Sequence, residues 1–318
     1  MKYNKIIFDM DGVITGESMY WDAAALTVYE LLFDRRDCEV EDFSKIHDTI
    51  FCGRDFINEL KIRGVNTNWD LAEVSYCLSK HINPNLRTLD SEHFKKVCEF
   101  AQSLPDSASE VYDIAYSLAA KATGKPYDYF VREKGEFWTI VQDVFASWFV
   151  GKGLVNMEKP IVPLDKLVEL LEAMVEHGIK LGTGTGRPTL ELLRPLQMWD
   201  IEKYFDKNSI ADYSDSVNAE IACKCDVSLA KPHPYVFLKA AAGKSYPDQK
   251  LIDRTHDNIT DGVLVVGDAV ADFVSAKEGG FDFAAVLTGV SGGAMRPYFE
   301  ENGADYIFDD VLGLWELL

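Results

Sequence analysis

Apolar residues along this chain follow two different patterns. Short apolar runs bounded by charged residues or glycine predict buried strands of a parallel sheet, at 5–8, 262–266, 281–287 and 304–308, with a further candidate at 207–210. Between residues 16 and 155 these runs give way to segments with helical spacing, at 21–33, 43–52, 71–79, 92–103, 109–120 and 137–149. The pattern therefore predicts an α/β protein with an all-helical insertion after its first strand.

A strand of small residues is predicted after the amphipathic helical stretch 164–177, which Gly178 is suited to end. It delivers the hydroxyl of Thr183 or Thr185 to a turn in which Gly186 allows close backbone approach to a ligand. A hydroxyl beside backbone N–H groups is suited to bind phosphate oxygens. A Gly/Thr turn without a ligand has the same sequence, and that alternative stays open.

Two carboxylates, Asp9 and Asp11, follow directly on the first apolar run. At a spacing of two they can point to the same side of the strand's carboxyl end, where ligands bind in open α/β sheets. Two like charges held there need a cation or a shared proton. The Asp-Gly pair formed by Asp11 and Gly12 is equally typical of a simple turn.

Two later segments carry further charges at the ends of predicted elements. Lys231 stands before two prolines that fix the chain, and its ammonium is suited to neutralise carboxylates and hold a phosphate. Asp268 and Asp272 follow the apolar run 262–266, and at a spacing of four they would face the same way on a following helix. Each could instead be an N-cap.

Composition excludes some classes of partner. The 318 residues carry a net charge of −20, so neither nucleic acid nor an anionic membrane surface is an expected partner. The sequence predicts neither a signal peptide nor a membrane-spanning stretch, and the six cysteines form no regular framework. We expect a cytoplasmic protein with reduced thiols. Cys223 and Cys225 could bind a soft metal, although two thiols make a weak case.

Taken together, four motifs resemble those of the haloacid dehalogenase-like (HAD) hydrolase superfamily. They are Asp9-x-Asp11-Gly12-Val13-x-Thr15, Thr185 before Gly186-Arg187-Pro188, Lys231-Pro232, and Gly267-Asp268-x-x-x-Asp272. The resemblance implies a Rossmann-like three-layer α/β core with a central parallel sheet, formed by residues 1–15 and 156–318. It also implies that residues 16–155 form a helical cap inserted after the first motif, which is larger than the caps usual in the family.

The resemblance also implies a role for each motif residue. Asp9 would be the nucleophile that becomes an aspartyl phosphate, and Asp11 the general acid and base. Thr185 would bind the transferring phosphoryl group, and Lys231 would neutralise charge. Asp9, Asp268 and the carbonyl of Asp11 would hold Mg²⁺, with Asp272 as a further ligand or as an orienter of Lys231. Carboxylate oxygens are the ligands that Mg²⁺ prefers.

The function implied by the resemblance is Mg²⁺-dependent hydrolysis of a small phosphorylated metabolite. The acid at Asp11 distinguishes phosphate chemistry from dehalogenation within the superfamily. A sugar phosphomutase uses the same residues and remains an alternative, as does a non-catalytic binding protein with the same fold. The sequence predicts no particular oligomeric state.

One residue of the insertion is a candidate for substrate binding. The segment 52–55 resembles the cap loop that family members place over the substrate, which would make Arg54 a specificity residue. The simpler interpretation is a solvated arginine near a helix start.

Overall fold

A computed structural model describes residues 2–65, 67–256, 258–290 and 292–318 of the chain. The chain divides into two compact units, one formed by Met1–Glu17 with Glu158–Leu318 and the other by Ser18–Met157. The boundaries inferred from the sequence each fall two residues earlier. We call the first the sheet unit and the second the helical unit.

The secondary structure follows this division. The strands all lie in the sheet unit: β1 (Lys5–Phe8), β2 (Lys180–Gly184), β3 (Phe205–Ala211), β4 (Val263–Gly267), β5 (Asp282–Val286) and β6 (Tyr306–Phe308). The helical unit contains α1 (Ser18–Phe33), α2 (Val40–Ile50), α3 (Asp55–Ile62), α4 (Asn68–Ile82), α5 (Ser91–Gln102), α6 (Ala108–Thr123) and α7 (Glu136–Ala146). The sheet unit adds α8 (Leu164–Glu176), α9 (Thr189–Met198), α10 (Tyr213–Cys223), α11 (Tyr235–Ala242), α12 (Asp248–Ile252), α13 (Val270–Gly279) and α14 (Arg296–Asn302).

The six strands form one parallel sheet in the order β3-β2-β1-β4-β5-β6. The order reverses between β1 and β4, and ligands of doubly wound sheets bind at such a switch point, beyond the carboxyl ends of the strands. The first strand and the one that precedes Asp268 therefore flank the most favourable position for a site.

Both faces of the sheet are buried, which explains why its strands are apolar without alternation. One core contains Phe8 and Val266 together with Leu167 and Leu171 of α8. The other contains Ile7 and Val265 together with side chains of α11, α13 and α14. This arrangement is the predicted three-layer α/β fold with a central parallel sheet, and the prediction is confirmed.

The helical unit has its own aromatic-rich interior. Trp21, Trp138 and Trp148 are buried in it, and the rings of Tyr20 and Phe149 lie 4.2 Å apart. Six of its helices coincide with predicted segments, whereas for α3 the sequence indicates only a helix start near Arg54, as one of two interpretations of the segment 52–55. Cys52 and Gly53 both have positive φ angles, and the helix begins two residues later.

Within the described residues, no helix has both the length and the apolar character needed to cross a membrane. All six cysteines are free, which agrees with the absence of a disulfide framework in the sequence.

Candidate active site

Two aspartates meet at the switch point because neighbouring strands end in register. Phe8 of β1 lies opposite Val266 of β4, and the backbone N–H of Asp9 donates to the carbonyl of Val266 at 2.9 Å. Asp9 is thus the first residue beyond β1, and Asp268 follows β4 directly. Strand register, rather than proximity in sequence, brings these carboxylates to one edge of the sheet.

Lys231 lies between two of the carboxylates. Its Nζ is 2.8 Å from Oδ1 of Asp9 and 2.7 Å from Oδ1 of Asp272, and it also lies 4.6 Å from the centre of the Phe237 ring. Burial alone would lower the pKa of Lys231, but the carboxylates of Asp272 and Asp9 raise it above its ordinary value. The residue therefore supplies a fixed positive charge within the cluster.

Asp9, Asp268 and Asp272 form a group that can hold a divalent cation. One carboxylate oxygen from each lies within 4.8 Å of the other two. Burial raises the pKa of Asp9 above its ordinary value, Lys231 opposes that rise, and Asp272 adds to it. A cation would stabilise the ionised carboxylates, and a set of oxygen donors suits a hard ion such as Mg²⁺.

Two glycines make room for Asp268. A Cβ at Gly12 would lie 2.6 Å from the carboxyl carbon of Asp268, and Gly12 also has a φ of +72°, which disfavours other residues. A Cβ at Gly289, in the loop after β5, would overlap the same carboxylate. The loops after β1 and β5 are also joined, since Thr288 Oγ1 donates to the carbonyl of Gly12. The site is therefore built for a carboxylate at this position.

Asp268 and Asp272 meet in a different way from the one that their spacing predicts. We expected them to face the same way as residues four apart on one helix, but α13 begins only at Val270, so Asp268 precedes it. Asp272 lies in the first helical turn, where its Oδ2 accepts from the N–H of Ala269 at 3.3 Å. The two residues meet through the geometry of the loop.

Asp11 differs from its expected setting. Its carboxylate is outside the group formed by Asp9, Asp268 and Asp272, and it pairs instead with Arg187, whose Nη2 is 2.6 Å from Oδ1. The expectation that Asp11 is a metal ligand through its carbonyl oxygen stays a prediction.

Thr185 lies directly after β2, at the same edge of the sheet, and is buried. Its Oγ1 accepts from the N–H of Arg187 at 3.2 Å, and among the described residues no acceptor takes the hydroxyl hydrogen. Gly186 is exposed and a Cβ there would meet no atom within 4 Å. Gly184, by contrast, is required because the Phe237 ring packs against it. Their roles in binding stay predictions.

Arg54 belongs to the helical unit and immediately precedes α3. Its guanidinium lies 4.8 Å from the centre of the Trp21 ring, an arrangement typical of a cation–π contact. His47 holds the preceding turn, with Nε2 at 3.1 Å from the carbonyl of Gly53. The contact with substrate predicted for Arg54 stays a prediction.

Asp11 belongs to a cluster with Arg187 and Glu158, two residues to which the sequence assigned no role. Arg187 is buried, and its guanidinium contacts both Asp11 and Glu158. An arginine beside Gly186 and Pro188 is typical of an exposed turn, and its partners lie far away in sequence. No local pattern therefore indicated this cluster.

Part of the sheet unit matches a known family. Residues 228–314, which include Lys231, Asp268 and Asp272, match the family described as HAD-hydrolase-like. No curated protein matches the chain.

Solved structures extend the similarity over the whole chain. A Northeast Structural Genomics Consortium target solved by X-ray crystallography is 26% identical, with a TM-score of 0.79 over 99% of this chain and 98% of that one. A candidate phosphatase from Clostridium difficile is 16% identical, with a TM-score of 0.50 over 100% of this chain and 99% of that one, and shows similarity of fold. The predicted resemblance to HAD-like hydrolases is confirmed.

Proposed function

We propose that this chain is a Mg²⁺-dependent phosphatase that hydrolyses a small phosphorylated metabolite through an aspartyl phosphate at Asp9. The observation that carries the proposal is the convergence of the carboxylates of Asp9, Asp268 and Asp272, two of which, Asp9 and Asp272, pair with the ammonium of Lys231. A carboxylate attacks phosphorus readily only where cations suppress its repulsion from the phosphate. This cluster supplies one cation and the oxygen ligands for another.

Each residue has a defined part in the proposed reaction. An oxygen of Asp9 attacks phosphorus while the bond to the ester oxygen breaks, and the carboxyl of Asp11 gives its proton to the departing alkoxide. A water molecule then attacks the phosphorus of the aspartyl phosphate, Asp11 takes a proton from that water, and phosphate leaves with Asp9 restored. General acid–base catalysis of this kind typically contributes ~10²–10⁴-fold.

The remaining residues bind and balance charge. Thr185 donates its hydroxyl hydrogen to the transferring phosphoryl group, Gly186 offers its backbone to it, and Lys231 neutralises charge on Asp9 and the phosphate. Asp9, Asp268 and Asp272 would hold the Mg²⁺ ion. When bound, the ion would neutralise negative charge on the carboxylates and on the phosphoryl group.

A chromogenic assay tests the proposal. Purified protein should hydrolyse p-nitrophenyl phosphate with Mg²⁺ and lose this activity on chelation, and Asp9→Asn should be inactive. Equal turnover by Asp9→Asn and the unaltered protein would contradict the assignment of the nucleophile. A sugar phosphate assayed in parallel should release inorganic phosphate, whereas its isomer as the product would identify a phosphomutase.

A further inference from the structure

Arg187 is a charged residue almost completely enclosed in the sheet unit, with 1% of its side chain exposed. Its Nε lies 3.2 Å from both carboxylate oxygens of Asp11, and its Nη2 lies 2.6 Å from Oδ1. Nη2 and Nη1 also donate to Oε1 and Oε2 of Glu158, at 2.7 and 3.1 Å. One guanidinium thus joins two carboxylates that are distant in sequence.

The same guanidinium is attached to the turn that carries Asp11. Nη2 donates to Thr15 Oγ1 at 2.7 Å, and that hydroxyl in turn donates to the carbonyl of Met10 at 3.0 Å. The N–H of Thr15 also donates to Met10. Arg187 therefore holds both the carboxylate of Asp11 and the backbone turn around it, so that the side chain cannot rotate independently of the turn.

Glu158 explains how an arginine can be held in this position. Its carboxylate is fully buried and forms a two-point pair with Arg187, a geometry that only a guanidinium provides. Nη1 also donates to the carbonyl of Glu191 at 3.2 Å. A pair formed with Glu158 alone would already satisfy the charge of Arg187. The additional contact with Asp11, which is 26% exposed, links that buried pair to the edge of the site.

We propose that Arg187 and Glu158 are positioning residues that fix the carboxyl of Asp11 for proton transfer to the leaving group. The inference rests on the proposed function, in which Asp11 is the general acid. Proton transfer requires donor and acceptor within hydrogen-bond reach, and displacement of a catalytic group by about 1 Å can cost ~10²-fold. Arg187 acts through Asp11 and needs no contact with the substrate.

Dependence on the leaving group distinguishes positioning from a structural role. p-Nitrophenolate leaves without a proton, whereas the alkoxide of glycerol 3-phosphate needs one. We therefore compare single-turnover release of the leaving group from the two substrates, with Mg²⁺ and with enzyme in excess, so that only the first step is measured. Arg187→Lys keeps the charge but loses the two-point geometry, and Glu158→Gln keeps the size of the side chain.

We expect both variants to lose at least ~10-fold more rate with glycerol 3-phosphate than with p-nitrophenyl phosphate, as part of the ~10²–10⁴-fold that a general acid contributes. In an Asp11→Asn background, Arg187→Lys should affect both substrates equally, since residues that act as one unit are not additive. Asp248→Asn is the matched control, because it breaks the ion pair with the buried Lys239 elsewhere in the sheet unit.

The outcomes separate this inference from the proposed function. Equal losses with both substrates, or a selective loss also in Asp248→Asn, would overturn the positioning role while leaving the phosphatase intact. If the unaltered protein releases neither leaving group, both proposals are wrong. Should Arg187→Lys not fold, as judged by thermal unfolding, Glu158→Gln alone decides, because selectivity for the alkyl ester is expected there too.

Discussion

At the scale of single residues, the site depends on space left by glycine as much as on charge. A methyl group at Gly289 would overlap the carboxylate of Asp268, whereas one at Gly293, in the short 3₁₀ helix Gly292–Met295, would meet no atom within 4 Å. The short side chain of Asp268 cannot move aside without leaving the group that it forms with Asp9 and Asp272.

We therefore expect Gly289→Ala to raise the Mg²⁺ concentration needed for half-maximal activity by at least ~10-fold, since changes in the residues that position metal ligands commonly weaken metal binding ~10- to 100-fold. Gly293→Ala should leave it unchanged. The measurement is a Mg²⁺ titration of p-nitrophenyl phosphate hydrolysis. Equal Mg²⁺ dependence in both variants would show that the position of Asp268 does not depend on this glycine.

A second residue-scale prediction concerns Glu73, a buried carboxyl in the helical unit. Tyr116 donates to its Oε2 at 2.8 Å, while Oε1 has no partner among the described residues. Burial raises the pKa of Glu73 to about 8. The folded state therefore holds a proton that the unfolded state releases between about pH 4.5 and 8, so stability falls as pH rises through this range.

Glu73→Gln removes that proton linkage while keeping the size of the side chain. The variant should match the unaltered protein near pH 4.5 and exceed its stability at pH 7 by ~2 kcal/mol, as a pKa shift of several units implies. The measurement is urea unfolding of the full chain at the two pH values, in which the unfolding of the helical unit is followed. Glu99→Gln, which alters an exposed residue of α5, is the control and should show no such change. A constant difference across pH would contradict a raised pKa.

Much of the site could be predicted from the sequence, because the evidence for each residue lies in its neighbours along the chain. Asp9, Asp268 and Lys231 each follow a strand or precede prolines, so their own sequence contexts placed them at element ends. Arg187 and Glu158 could not be found in this way, because their proposed role depends on contacts between segments 29 and 176 residues apart. Such contacts produce no recognisable pattern in a single sequence.

At the scale of elements, one lysine joins the end of β1 to the start of α13. Lys231 pairs with Asp9 beyond β1 and with Asp272 in the first turn of α13. Its removal would leave two buried carboxylates without a cation. Breaking a buried ion pair by removing one partner typically costs ~3–5 kcal/mol.

Lys231→Met should therefore destabilise the metal-free protein by about 3 kcal/mol at pH 8, and by less at pH 5.5. The loss of stability is smaller at low pH because of Asp9. Burial already raises the pKa of Asp9, and without Lys231 nothing in the ion pair opposes that rise, so protonation relieves the unpaired charge at low pH. Urea unfolding with chelator at both pH values is the measurement. Lys244→Met, at an exposed lysine 3.8 Å from Asp215, should change stability little at either pH.

A loss independent of pH in Lys231→Met would indicate missing packing against Phe237 rather than unpaired carboxylates. The ring lies 4.6 Å from the ammonium, so packing is a real alternative. The pH dependence of the stability loss therefore distinguishes lost packing from unpaired carboxylates.

The elements themselves were mostly predictable. The apolar runs located β1, β4, β5 and β6, and the small-residue pattern located β2, since strands buried on both faces differ sharply from their flanks. The extent of α3 was not predicted, because this helix has only eight residues and follows the turn at Cys52 and Gly53. The start of α13 was placed too early, because no sequence feature distinguishes Asp268 in the loop from Asp272 in the first turn.

At the scale of the whole molecule, the carboxylates of Asp9, Asp268 and Asp272 all belong to the sheet unit. A ligand that binds only the folded state stabilises it by about 2.7 kcal/mol at a hundred times its Kd. Stabilisation by Mg²⁺ should be concentrated around the carboxylates that would bind it. We expect Mg²⁺ to slow amide hydrogen exchange in the segments that follow β1 and β4, with little change in α4 to α6 of the helical unit.

Hydrogen exchange measured by mass spectrometry with and without Mg²⁺ tests this expectation. Asp268→Asn is the matched control and should abolish the effect. Equal slowing in both units, or slowing that persists in the variant, would place the ion elsewhere.

The central claim is that Asp9 accepts the phosphoryl group. The most direct test is to quench the protein with acid during turnover of a phosphate ester with Mg²⁺, and to locate phosphoryl groups by peptide mass spectrometry. The account predicts a hydroxylamine-sensitive phosphoryl group on Asp9 that is absent from Asp9→Asn. Rapid turnover in which Asp9 never carries phosphate, or a phosphoryl group on another residue, would contradict it.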